Sequence, residues 1–154
     1  MDRAVELGMS AMALTDHGNL FGAVSFVKQA EKRGIKPIIG CEGYIVTDHK
    51  NDERPGRENH KSFHLGLLAK NFQGYQNLCK VVSDAHVDGF YYRPRTDLET
   101  LAEFSEGLIG FTGCMQGWIP QLLLRGKEDE AEQAMGQMID ILGKENYFVE
   151  LHNH

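Results

Sequence analysis

The sequence is poor in the residues that mark out special classes of protein. Its three cysteines, Cys41, Cys79 and Cys114, are scattered over 154 residues and form no C-x-x-C pair. An odd, dispersed set of this kind reads as reduced thiols rather than a disulfide framework. No apolar run reaches membrane-spanning length, and no basic leader precedes an apolar stretch, so a cytoplasmic protein with no membrane association is expected. Positive charge is scarce: 16 Lys and Arg stand against 22 Asp and Glu, a net charge of -6. That excludes a protein that coats nucleic acid by charge alone, but not a site that handles phosphate through metal ions. There is no G-x-G-x-x-G after the first apolar run and no G-x-x-x-x-G-K-[ST] anywhere, which leaves nucleotide-binding α/β folds unsupported. What remains, 42% apolar and 25% charged residues, is the composition of a soluble globular domain of ordinary size.

Strand and helix signals alternate along the chain. Residues 11–14 (AMAL) suit a short buried strand, and Asn19 is a candidate cap for a helix with Leu20, Ala23, Val24 and Val27 on one face. Gly34 and Pro37 end that helix. Residues 37–46 (PIIGCEGYIV) read as a second strand, and residues 47–62 as an exposed polar loop. A third strand over residues 63–69 leads through Asn71 into a helix with Phe72, Tyr75, Leu78 and Val82 on one side. Residues 89–95 read as irregular, and Thr96-Asp97-Leu98-Glu99 as a capping box. Strands are expected over residues 108–112 and 147–151. Helices are expected over residues 115–124, with a break at Pro120, and over residues 127–142, with Ala131, Met135, Met138, Ile139 and Leu142 inward. This alternation predicts an α/β fold of parallel β/α units, a barrel or part of one, with chemistry at the strand ends.

Residues able to bind metal fall at or near those ends. Asp16 and His17 close the first strand, Glu42 lies inside the second, His64 opens the third, Cys114 follows the fourth, and His152 and His154 follow the fifth. A lone histidine near a strand end is usually structural, and a lone cysteine there is usually a small buried apolar residue. Glu42 is different, because a carboxylate within an apolar strand is costly unless paired or ligated. The pattern alone leaves the structural and metal readings balanced. Imidazole, carboxylate and thiolate together suit zinc first, with manganese and iron as alternatives, and such ions support phosphoester hydrolysis. Tyr91-Tyr92-Arg93-Pro94-Arg95 mixes aromatic and basic groups. It offers Arg93 and Arg95 as nucleic-acid contacts, against the plainer reading of a rigid loop whose arginines pair with carboxylates. Trp118 and Leu122–Leu124 suit either core or a partner surface.

Four stretches, ALTDHGNLFGAVSFVKQAEKRGIKPIIGCEGYIV, HLGLLAKNFQGYQNLCKVVSDAHVDGFYYRPRTDLETL, EGLIGFTGC and NYFVELHNH, together resemble the amino-terminal PHP (polymerase and histidinol phosphatase) domain of bacterial DNA polymerase III alpha subunits. The resemblance runs over essentially residues 1–154. It implies part of a distorted seven-stranded (β/α)7 barrel with a divalent metal cluster at its mouth. His17, Glu42, His64 and Cys114 match metal ligands of the family, and Asp16 matches a supporting residue or ligand. Of His152-Asn153-His154 only His154 has a family counterpart. The family's HxH motif is expected to lie upstream of Met1, and its later Asp-x-His motif and polymerase carboxylates beyond His154. The chain is thus read as a partial PHP domain that cannot itself polymerise DNA. The implied partners are DNA and other DNA polymerase III subunits, notably the proofreading exonuclease. The implied activity is a metal-dependent phosphodiesterase of 3′–5′ exonuclease type. The alternatives are a non-catalytic scaffold for the proofreading subunit and a free-standing PHP phosphatase.

Overall fold

The computed structural model describes residues 1–48 and 62–152. The elements run in the order α1 (Asp2–Glu6), β1 (Ala11–His17), α2 (Ala23–Glu31), β2 (Lys36–Val46), β3 (Phe63–Ala69), α3 (Phe72–Val87), β4 (Phe90–Tyr91) and β5 (Arg93–Asp97). After these come α4 (Leu98–Glu103), β6 (Leu108–Phe111), α5 (Trp118–Leu124), α6 (Glu128–Leu142) and β7 (Tyr147–Phe148). The expected loop over residues 47–62, apart from its ends, and His154 lie outside the described residues. No helix among the described residues is long and apolar enough to cross a membrane.

The sheet is mixed rather than uniformly parallel. Its strands run β4-β5-β2-β3-β6-β7, with β1 also against β2. β1 and β5 lie parallel to β2, and β7 parallel to β6. β3 runs antiparallel to both β2 and β6, which corrects the expectation of parallel units throughout. An antiparallel neighbour needs no helical crossover, so β2 and β3 are not halves of a β/α unit. One edge of β2 is shared in succession. β1 covers it from Lys36 to Glu42, then β5 takes over from Tyr44 to Val46.

Alternation along the strands divides the molecule into two faces. Cys41, Ile45, Leu65, Leu67 and Leu108 point into the main core, where they meet Leu78 and Val81 of α3, Leu101 of α4, Ile119 and Leu122 of α5, and Met138 and Leu142 of α6. The opposite face carries Ala13, Thr15, Glu42, Gly66, Leu68 and Phe111, which line a cavity of about 210 Å³. Glu150 and His152 line it too. β1 pairs with β2, and the segment after β7 lies beyond β3 and β6, yet both line this cavity, so the sheet curls around it.

Several local expectations need correction. Asn19 does not cap α2. Its side chain closes an Asx turn, accepting from the Phe21 N–H at 2.9 Å and donating to the His17 carbonyl at 2.9 Å. Val24 is exposed, and Ala23 and Ala30 form the buried side of α2. Phe72 is exposed; α3 buries Leu78 as expected, packs Val82 against the core, and also buries Gly74, Asn77, Val81 and Ala85. Residues 89–95 are not wholly irregular, since β4 and β5 pair there. Asp97, one residue later than expected, caps α4 by accepting from the Thr100 N–H at 2.9 Å. Pro120 does not break α5, because it sits in the first turn, where the N–H it lacks would have no helical partner. The last strand is only Tyr147–Phe148. Leu122 joins the core, whereas Leu123 and Leu124 are exposed.

Candidate metal centre

Three elements deliver donor atoms to one place. Glu42 comes from the middle of β2, on the cavity face, opposite Gly66 of β3 and His17 of β1 in the ladder. One carboxylate oxygen meets His64 Nδ1, and the other lies 3.2 Å from His17 Nδ1. The sulfur of Cys114 lies 3.6 Å from the same His64 nitrogen. Donor atoms of Glu42, His64 and Cys114 all fall within 4.8 Å of one another. His17 stands beyond the carboxylate, its side chain 66% exposed, whereas His64 is 12% exposed. The rings of His17 and His64 are 6.2 Å apart, edge to face.

The loop after β6 explains how Cys114 arrives. The His64 N–H donates to the Gln116 carbonyl at 3.0 Å, and His64 forms a single bridge with Gly117, so the loop is zipped to the start of β3. Gly117 turns back so tightly that a Cβ there would lie 2.0 Å from the Thr112 carbonyl oxygen, which only glycine tolerates. The Gln116 N–H points at the sulfur from 3.4 Å. That contact helps hold the sulfur beside His64. Cys41, by contrast, is buried on the core face, and burial pushes its thiol up to about 11.

The donor set fits a metal ion on its own chemistry. Imidazole, carboxylate and thiol are the ligand types of zinc and its neighbours. In addition, His64 Nε2 is buried and makes no hydrogen bond among the described residues. Leaving it unsatisfied costs roughly 1–3 kcal/mol, and it is the ring's other nitrogen, Nδ1, that meets Glu42 and Cys114. The far wall of the cavity holds a second acid–imidazole pair, Glu150 Oε1 and His152 Nε2 at 2.9 Å. The Glu150 N–H donates to Thr112 Oγ1 at 2.9 Å, which ties this wall to the Cys114 loop. The sequence offered no pattern for Glu150. It reaches the cavity only through the long-range pairing of β6 with β7.

The structure does not bring every expected residue to this centre. Asp16 points to the other side of β1, with Leu14, and its Oδ2 accepts from the Gly22 N–H at 3.0 Å. It therefore steadies the turn that follows His17 and does not reach the donor cluster. Arg95 is not exposed as a nucleic-acid contact would be. It is 3% exposed, its Nε donates to the Gly89 carbonyl at 3.1 Å, and its guanidinium lies over Tyr91. Arg93 is exposed. His152 pairs with Glu150 rather than with Glu42.

The PHP domain profile matches residues 1–154. DNA polymerase III subunit alpha of Treponema pallidum (strain Nichols) is 44% identical over 151 residues, covering 98% of this chain and 13% of the relative. The Thermus aquaticus protein of the same name is 46% identical over 145 residues, or 94% of this chain and 12% of the relative. That of Helicobacter pylori (strain ATCC 700392 / 26695) is 39% identical over 162 residues, or 99% and 13%. The chain spans about one eighth of the length of these curated relatives. With residues 1–154 matched by the profile, the chain belongs to the PHP domain family and corresponds to the PHP segment of bacterial DNA polymerase III alpha subunits.

Proposed function

We propose that this segment carries a metal-dependent phosphodiesterase site of 3′–5′ exonuclease type, within a parent protein that replicates DNA in the bacterial cytoplasm. The observation that carries the reading is the Glu42 carboxylate, which presents one oxygen to His64 and the other to His17, with Cys114 beside them. Glu42, His64 and Cys114 would hold one divalent ion, zinc first and manganese or iron as alternatives. His17 would hold a second through the shared carboxylate. Ions so held supply Lewis acidity and a hydroxide near neutral pH. Asp16 fixes the turn behind His17, and Glu150 and His152 face the same space, where they can orient a water or a phosphate oxygen. We assign His154 no part in this set. The (β/α)7 barrel belongs to the same proposal, as do the parent's polymerase activity and its partners, DNA and the proofreading exonuclease subunit.

A second reading, a scaffold that docks the proofreading subunit, is favoured by one surface feature. Phe21, just before α2, and Val24, in its first turn, are 85% and 64% exposed. Exposed apolar side chains grouped in this way suit a partner interface.

Metal content and single-strand hydrolysis should be measured on the intact parent chain, purified without chelator. Metal is expected in the wild type. Glu42→Ala is expected to lose about 100-fold or more in metal affinity, beyond the 10–100-fold cost of changing an outer supporting residue. Wild-type protein free of metal, or a Glu42→Ala variant of unchanged activity, overturns the catalytic reading and leaves the scaffold.

A further inference from the structure

A small hairpin stands beside the donor cluster. β4 and β5 pair Phe90 with Pro94 and Tyr91 with Arg93, leaving Tyr92 at the tip. Tyr92 has φ 59°, a left-handed conformation that bulky residues rarely adopt. Its ring is 85% exposed. The fold thus bears backbone strain to hold an aromatic ring in water. The ring is also braced, with Tyr91 edge-on to it at 4.6 Å and the Arg95 guanidinium over Tyr91 at 5.1 Å.

The hairpin is tied to the donor cluster on two sides. Tyr44 lies two residues beyond Glu42 on the same face of β2, and its ring meets that of His64 at 5.4 Å. Arg93 lies over this same Tyr44 ring at 5.0 Å. On the other side, Gly18 follows His17 directly and packs beneath the hairpin. A Cβ at Gly18 would lie 2.8 Å from Pro94 Cγ and 3.0 Å from Tyr44 Cε2. Among the described residues, no carboxylate pairs with Arg93, so an exposed guanidinium sits one tyrosine ring away from His64. A chain of net charge -6 has few cations to spare, and this one is placed at the site.

A fixed planar ring next to a fixed cation matches a base next to its phosphate. We propose that Tyr92 and Arg93 form a subsite for single-stranded nucleic acid. Tyr92 stacks on a base, and Arg93 holds a phosphate adjoining the one that enters the cavity. The inference rests on the phosphodiesterase reading of the cavity and adds how the substrate strand is held.

The test uses the intact parent chain in chelator, so that no strand is cut. The probe is a short oligodeoxythymidine carrying one 5-iododeoxyuridine, crosslinked by ultraviolet light and mapped by mass spectrometry. An adduct is expected on the peptide that contains Tyr92. Tyr92→Leu should lower its yield roughly 5- to 100-fold, the range for losing one stacking ring, and Tyr92→Phe should keep it. Arg93→Ala should lower the yield and reduce the salt dependence of binding by about one unit of slope, with Arg93→Lys in between. Adducts found only elsewhere, or yields unchanged in Tyr92→Leu and Arg93→Ala, overturn the proposal. Metal content and hydrolysis of bis-p-nitrophenyl phosphate, a diester without a base, are measured in parallel. If the wild type lacks both, the phosphodiesterase reading fails, and the crosslinks still decide the subsite.

Discussion

Glu42 stands between His17 and His64 with one oxygen towards each, and its neighbour Cys41 points the opposite way, into the core. That alternation was legible, because adjacent strand residues face opposite sides and a lone carboxylate in an apolar strand demands a reason. It separates the cysteines chemically. Cys41 is 1% exposed, and its thiol is held near 11 by burial, so little thiolate forms at neutral pH. Iodoacetamide at neutral pH is expected to leave Cys41 unmodified in the folded protein. Cys114 should react in chelator and be protected by zinc, which peptide mapping will show. Protection of Cys41 only in the presence of metal would contradict this. The depth of Arg95 was not legible, for an equally physical reason. The sequence shows the charge of a side chain but not its depth, and Arg95 is buried by tertiary contacts that local composition does not record.

The elements were legible where periodicity was carried by apolar residues, and less so where it was not. β3 falls on the residues expected, and Asn71 caps α3 by accepting from the Gly74 N–H at 2.8 Å. Asn71→Ala should cost about 1 kcal/mol of stability, read as a lower denaturant midpoint with an unchanged slope. No change in midpoint would show that the cap carries no weight. The buried stripe of α3 was placed correctly at Leu78 and Val82 but only in part, because two of its members are Gly74 and Asn77. Gly74 lies against the backbone of Gly107, and Asn77 Nδ2 donates to the Glu106 carbonyl at 2.9 Å. Neither registers as apolar, so Phe72 and Tyr75 looked like the inward face. The β4–β5 hairpin was missed likewise, since Arg-Pro-Arg reads as loop until a neighbouring strand pairs with it.

At the scale of the molecule, the α/β class could be read from the sequence, and Glu42, His64 and Cys114, singled out there, do meet in space, whereas the strand directions could not be read. Local patterns do not state which strands become neighbours. The antiparallel placement of β3 and the arrival of Glu150 both depend on long-range pairing. If the curled sheet holds metal through β2, β3 and the loop after β6, binding joins elements distant in sequence. Zinc at about 100 times its dissociation constant should then stabilise the fold by about 2.7 kcal/mol, and chelator should reverse this, lowering the melting temperature by roughly 2–4 °C for each kcal/mol. A melting temperature indifferent to zinc and chelator would argue against a centre that spans these elements. The shared carboxylate also bears on inheritance. With both imidazoles leaning on one residue, the site has no gentle route of decay, since losing Glu42 strands His17 and His64 together. Among descendants of a common ancestor, positions 17, 42 and 64 are expected to be kept as a set or abandoned as a set, and lineages that retain one of them alone should be rare.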